Sequence, residues 1–217
     1  MWNNMSVLTK KDILQRVRRK ELSFYPTLDE FQIQAHSVDL RLGFDFMIPK
    51  AWEITEKGRT VLNIDCFSGI DKQHFEILTL KAGQYFELLS KEFVVVNTLE
   101  EISLPSDLMG ILYPRSSVNR RGLSVDLSGI VDAGYKGNLI VPISNNTPSQ
   151  VIRIYPGERF CQLVFHQLNS YVKPRKSRFA QNGSRVGVFK EKSRSEMELI
   201  RDGKIKELKR RFKINLL

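Results

Sequence analysis

A chain of 217 residues with 41% hydrophobic and 27% charged residues can bury an ordinary core, which excludes a disordered segment and suits one domain with appendages. No apolar run is long enough to span a bilayer and the N-terminus lacks an apolar signal-peptide core, so a cytoplasmic protein away from membranes is expected. The formal net charge of +10 implies a polyanionic partner, which either nucleic acid or a nucleoside triphosphate could be.

Thr9-Lys-Lys-Asp12 followed by Ile13, Val17 and Leu22 reads as a capped amphipathic helix over roughly 10–20. From about 37 to 172 the pattern changes to short apolar or alternating runs: Ser37–Leu42, Gly83–Leu89, Phe93–Asn97, Gly110–Tyr113, Leu139–Ser144, Val151–Tyr155 and Phe160–Leu168. Turn residues such as Lys81-Ala-Gly83, Pro105-Ser-Asp107 and Tyr155-Pro-Gly157 separate them, the pattern of an antiparallel sandwich, barrel or jelly roll. Residues 50–75 carry few strand signals and read as an excursion. Cys66 and Cys161 lie among apolar residues, as reduced core thiols of a cytosolic protein do. A basic Ser/Gly-rich arm over 173–190 precedes a helix over 193–212, which Gly203 weakens. Residues 190–217 carry ten Lys/Arg against five Asp/Glu, half of the net charge, and a solvated or docking helix explains them better than nucleic-acid binding. The expected organisation is an N-terminal helical segment (1–22), a β domain (23–172) and a basic C-terminal arm and helix (173–217).

The zinc chemistry of nucleoside deaminases needs a His-x-Glu pair and a Cys-x-x-Cys pair. His74-Phe75-Glu76 has the first form, but Cys66 and Cys161 are far apart, so that chemistry is not expected. No Walker A loop, dinucleotide glycine signature, HExxH or nucleophile elbow occurs. Two other segments carry polar chemistry. In Pro114-Arg-Ser-Ser-Val-Asn-Arg120, a guanidinium fork and consecutive hydroxyls follow an apolar run, as an anion cradle would. Read alone, that segment is explained better by a solvated basic turn capping a helix. In Ser128-Gly129-Ile-Val-Asp132-Ala-Gly-Tyr135-Lys-Gly137 a carboxylate ends an apolar run beside an aromatic ring, able to orient a water, although a turn aspartate is often structural.

Taken together, and in this order, the segments resemble the dUTPase / dCTP deaminase superfamily. Ser37-Val-Asp39-Leu40 resembles its first motif, the Arg115 and Asp132 segments its second and third, and Gly157-Glu-Arg-Phe-Cys-Gln162-Leu163 its fourth. Leu8–Ile13 is similar to the N-terminal helix of the deaminase branch. The resemblance covers roughly 8–172 and implies a mainly β fold, a distorted antiparallel β-barrel or jelly roll with N- and C-terminal helices. It implies that Arg115, Ser116 and Ser117 hold the triphosphate, that Arg120 belongs to the same site, and that Gln162 binds phosphate or the catalytic water. Asp132 would orient the attacking water and the sugar 3′-hydroxyl. Tyr135 would pack on the sugar and select deoxyribose, and Asp39 would organise the first motif. Backbone groups of 127–138, Gly129 included, would read the pyrimidine. Homotrimers with interfacial sites are implied. So is Mg²⁺ held by the substrate phosphates rather than by protein ligands. Arg185 and Phe189, in Ser184–Phe189, are candidates for a closing arm.

The two branches differ in reaction. Deaminases carry a glutamate five residues past the glycine of the third motif, and that position here is Pro142. Arg115 to Asp132 is 17 positions, the dUTPase spacing. The sequence therefore points to a dUTP pyrophosphatase that gives dUMP and pyrophosphate through an Asp132-activated water. A dCTP deaminase, mono- or bifunctional, and a catalytically silent deoxynucleotide-binding regulator are the alternatives.

Overall fold

The computed structural model describes residues 6–64, 74–126, 129–173 and 194–214. In chain order its elements are α1 (Lys10–Arg18), β1 (Ser23–Tyr25), β2 (Val38–Pro49), β3 (Trp52–Thr55), β4 (Gly58–Val61), β5 (Phe75–Thr79), β6 (Phe86–Leu88), β7 (Phe93–Ser103) and β8 (Leu108–Pro114). There follow α2 (Ser116–Asn119), β9 (Leu123–Val125), β10 (Ile130–Val131), β11 (Lys136–Asn145), β12 (Ile152–Ile154), β13 (Arg159–Gln167), α3 (Arg194–Arg201) and α4 (Ile205–Arg211).

Helix α1 starts where its chemistry dictates. Thr9 Oγ1 accepts the Asp12 N–H at 3.4 Å and Asp12 Oδ2 accepts the Thr9 N–H at 3.0 Å, a reciprocal cap that satisfies two orphan donors. Ile13 on its inner face is fully buried.

Two compact units are present. The first, Met1–Pro49 with Phe75–Val186, holds a curled antiparallel sheet in the order β10-β8-β13-β2-β7-β11-β9, with β1 also on β7 and β5 also on β2. Alternation explains how one face of β11 becomes core. In β11, Leu139, Val141, Ile143 and Asn145 are buried while the residues between them face outward. Phe46 stacks on Phe86 at 4.9 Å and Phe24 meets Phe165 edge-on at 6.3 Å. At Gly43 the β2–β7 register shifts, and a Cβ would stand 2.3 Å from Asn97 Oδ1, so only glycine lets that buried amide cross the bulge. Cys161 is a fully buried thiol on β13, and burial pushes its pKa well up, as expected of a core cysteine. Cys66 lies outside the described residues.

The second unit, Lys50–His74 with Gly187–Leu217, departs from expectation in two places. The excursion at 50–75 contains the hairpin β3–β4, paired Trp52↔Val61 through Thr55↔Gly58. Its strands bury almost nothing, so the sequence carries turn chemistry at Lys57-Gly58 without a strong apolar signature. The C-terminal helix is two helices. Gly203, at φ 71°, closes α3 by donating its N–H to Ile200 O at 3.0 Å, and Lys204 N–H reaches Leu199 O at 2.7 Å, the paired bonds of a glycine-terminated helix. Among the described residues no helix is long and apolar enough to cross a membrane.

Candidate active site

Strand β13 lies between β2 and β8, and the register aligns Asp39, Gln162 and Tyr113 across three strands on one face. Asp39 is 2% exposed. It stays in place through two guanidinium contacts: Arg115 Nε at 2.9 Å and Arg159 Nη1 at 3.2 Å, both to Oδ2. Burial pushes the Asp39 carboxyl above its usual value, against the opposing pull of Arg115, Arg159 and Arg41. Arg115 also donates from Nη1 to Arg159 O at 2.9 Å, so its fork spans a carboxylate and a carbonyl. Gln162 donates to Pro114 O at 3.2 Å and accepts from Ser37 Oγ at 3.3 Å.

Beyond Arg115, the chain turns into α2, which begins with Ser116 and Ser117. Ser116 is exposed, and Ser117 is half-buried in the wall of a cavity of about 350 Å³. Arg41, Arg115, Arg121, Arg159 and Glu158 are the other charged groups there, above a floor that includes Leu123 and Ile143. Four guanidiniums around one opening suit a multiply charged anion. Arg120, at the end of α2, is exposed and does not line it. Sequence reasoning singled out Arg115 and missed Arg41, Arg121 and Arg159. Arg159 stood inside the fourth motif, but nothing local signals that its side chain turns back onto Asp39.

The third-motif residues are placed elsewhere. Gly129 O accepts from Leu112 N at 2.9 Å, and β10 pairs with the first half of β8 through Val131↔Gly110. Asp132 then opens a β-turn, its carbonyl accepting the Tyr135 N–H at 3.1 Å with Gly134 at φ 76°. Its carboxylate is exposed and has no hydrogen bond or ion pair among the described residues. Gly134 N reaches Pro105 O at 3.1 Å and Leu104 N reaches Tyr135 O at 2.8 Å, which fixes the turn beside the chain that enters β8. Tyr135 packs its ring on the core and donates its hydroxyl to Asn138 O at 2.7 Å. Burial, helped by Glu101, raises its pKa to about 12, so it remains a neutral phenol.

Arg115 follows β8 and the Tyr135 turn packs against its beginning. Seven strand residues span about 20 Å, so one chain does not bring Asp132 and Tyr135 to Arg115, Ser116 and Gln162. Arg185 and Phe189, and residues 127–128 of the segment expected to read the base, lie outside the described residues. Among the described residues no three His, Cys, Asp or Glu side chains are grouped to hold a metal ion.

A family model described as dCTP deaminase-like matches residues 7–168. The chain is similar to a "dCTP deaminase, dUMP-forming" of Persephonella marina, 38% identical over 163 residues that cover 75% of this chain and 84% of the relative. A relative of the same description from Methanosphaera stadtmanae is 32% identical over 209 residues, 92% of this chain and all of its own length. The crystal structure of the 2′-deoxycytidine 5′-triphosphate deaminase of Agrobacterium tumefaciens matches with a TM-score of 0.58 at 24% identity, over 75% of this chain and 48% of that one, a likeness of fold. The relatives overturn the expectation of a dUTP pyrophosphatase. That expectation weighed one missing acid at Pro142 and one spacing. An acid absent from one strand position can stand on a neighbouring strand, which a linear reading does not see.

Proposed function

The chain belongs to the dCTP deaminase-like family, and on that premise we propose that it converts dCTP to dUMP, releasing ammonia and diphosphate. The observation that carries the reading is identity of 31–38% to curated relatives whose shared description includes dUMP formation. Two water additions account for it. One replaces the amine on C4 of the cytosine, and the other cleaves the bond between the α-phosphorus and its bridging oxygen.

The arginine-lined cavity supports the assignment of the triphosphate to Arg115 and Ser117, with Arg159 as a further cation; Ser116 and Arg120, outside its lining, would act at the margin. Gln162, aligned with Asp39, would contact phosphate or water. Asp132, whose carboxylate has no competing partner among the described residues, would orient a water and the 3′-hydroxyl. Tyr135 has its hydroxyl committed to Asn138, so it would offer a fixed ring edge against the deoxyribose, and backbone groups near Gly129 would read the base. Mg²⁺ would be held mainly by the substrate phosphates, where it would neutralise their charge. Because the two halves stand at opposite ends of β8, a complete site takes its phosphate half from one copy and its sugar half from another. A homotrimer fits that requirement.

Product analysis tests the reading. With dCTP the protein should release ammonium and diphosphate together and leave dUMP. Formation of dCMP, or tight dCTP binding with no product, would sink it.

A further inference from the structure

We propose that Asp126 carries the protons for the deamination half of this reaction, from the strand position facing Pro142. The proposal rests on the dCTP reading above.

Loss of an amine from C4 by water needs a group that takes a proton from the water, gives one to N3, and later delivers one to the departing nitrogen. With no Cys-x-x-Cys motif in the chain for the zinc chemistry of nucleoside deaminases, a carboxylate is the natural carrier. Strand β9 runs against β11 with Ser124 opposite Ser144 and Val125 opposite Ile143. One step further, Asp126 faces Pro142, and the Asp126 N–H donates to Pro142 O at 2.9 Å. The return bond is impossible, because proline has no N–H to give Asp126 O, and the ladder ends there. Directly opposed side chains share a sheet face with Cβ atoms about 5 Å apart. The Asp126 carboxylate therefore stands one strand away from the place that position 142 leaves without an acid.

That face is the outward one: Ile140, Pro142 and Ser144 alternate with the buried Val141 and Ile143. The carboxylate is also oriented. Ser124 Oγ donates to Asp126 Oδ1 and Ser144 Oγ to Oδ2, so one hydroxyl holds each oxygen, and among the described residues no cation neutralises it. Three other acids are engaged elsewhere: Asp39 with two arginines, Glu100 with Gln32 and the Arg41 N–H, and Glu158 with the Tyr155 N–H; Asp132 is already assigned to the water and the sugar.

The step balances as follows. The water oxygen bonds to C4 while Asp126 takes a water proton and passes it to N3, which receives the electron pair of the opened C4–N3 double bond. Asp126 then takes the proton of the new hydroxyl and hands it to the amine. The C4–N bond breaks, ammonia leaves, C4=O forms, and the carboxylate is restored.

Ammonium release from dCTP is measured for the wild type, Asp126→Asn, Asp126→Glu and Asp126→Asn with Pro142→Glu. Asp126→Asn should lower kcat by about 10²–10⁴-fold, with KM within about threefold. Asp126→Glu should retain most of the rate, and the double variant should recover at least about tenfold over Asp126→Asn. Should Asp126→Asn fail to fold, removing both hydroxyls (Ser124→Ala with Ser144→Ala) still frees the carboxylate, and kcat should drop without a change in KM. Wild-type ammonium release by Asp126→Asn, or an unchanged kcat in the serine variant, overturns the role of Asp126 and leaves the dCTP reading standing. No ammonium from the wild type overturns both.

Discussion

Asp39 is the residue on which the proposed phosphate half of the site turns. A carboxylate at 2% exposure is costly unless paired, and here two guanidiniums converge on one of its oxygens. The pairing also aims Arg115, whose Nη1 is held by Arg159 O. Lysine has a single point of charge and cannot span both partners. Arg115→Lys should therefore cost about 1–3 kcal/mol in stability from the orphaned acceptors. It should also raise the KM for dCTP more than it lowers kcat. Thermal unfolding and steady-state kinetics on the purified variant check the two effects. None of this second layer could be read from the chain as letters. Asp39 and Arg159 are 120 positions apart, and a strand pairing makes them neighbours.

At the scale of elements, α1 is attached to the sheet by a small polar lock. Arg16 meets Asp107 Oδ2 at 2.9 Å and Gln167 Oε1 at 2.6 Å, and Leu8 N–H bonds Phe165 O at 3.0 Å. Burial pushes the Asp107 carboxyl up, but Gln167 and Arg16 together outweigh it and hold the pKa below the ordinary 3.8. A lowered folded-state value means that the contribution is fully present above 3.8 and is lost as pH falls through the folded value. Asp107→Asn should accordingly lower stability near neutral pH and flatten the fall in stability below about pH 4, as urea titrations across pH would show. Helix α1 and most strands were legible because cap chemistry and alternation are local patterns. The β3–β4 hairpin was not, since strands that bury little leave little periodicity. The break at Gly203 was signalled by the glycine alone, and its geometry needed two backbone bonds to become visible.

At the scale of the whole molecule, the separation of the two halves along β8 predicts complementation. Arg115→Ala and Asp132→Asn each disable one half and should each be nearly inactive alone. Mixed by joint refolding, they should recover about a quarter of wild-type turnover, because random assembly pairs an intact Arg115 with an intact Asp132 at about one interface in four. Additive residual activity from the mixture would show that one chain supplies the whole site. By itself the sequence determined the β architecture, the capped first helix, the superfamily and the ordered motifs, because periodicity, capping and motif order are properties of neighbours in the chain. Only the tertiary structure decided which charges meet, that Arg115 and Asp132 stand apart within one chain, and that a carboxylate faces Pro142. Strand register sets those relations, and register joins residues far apart in the sequence.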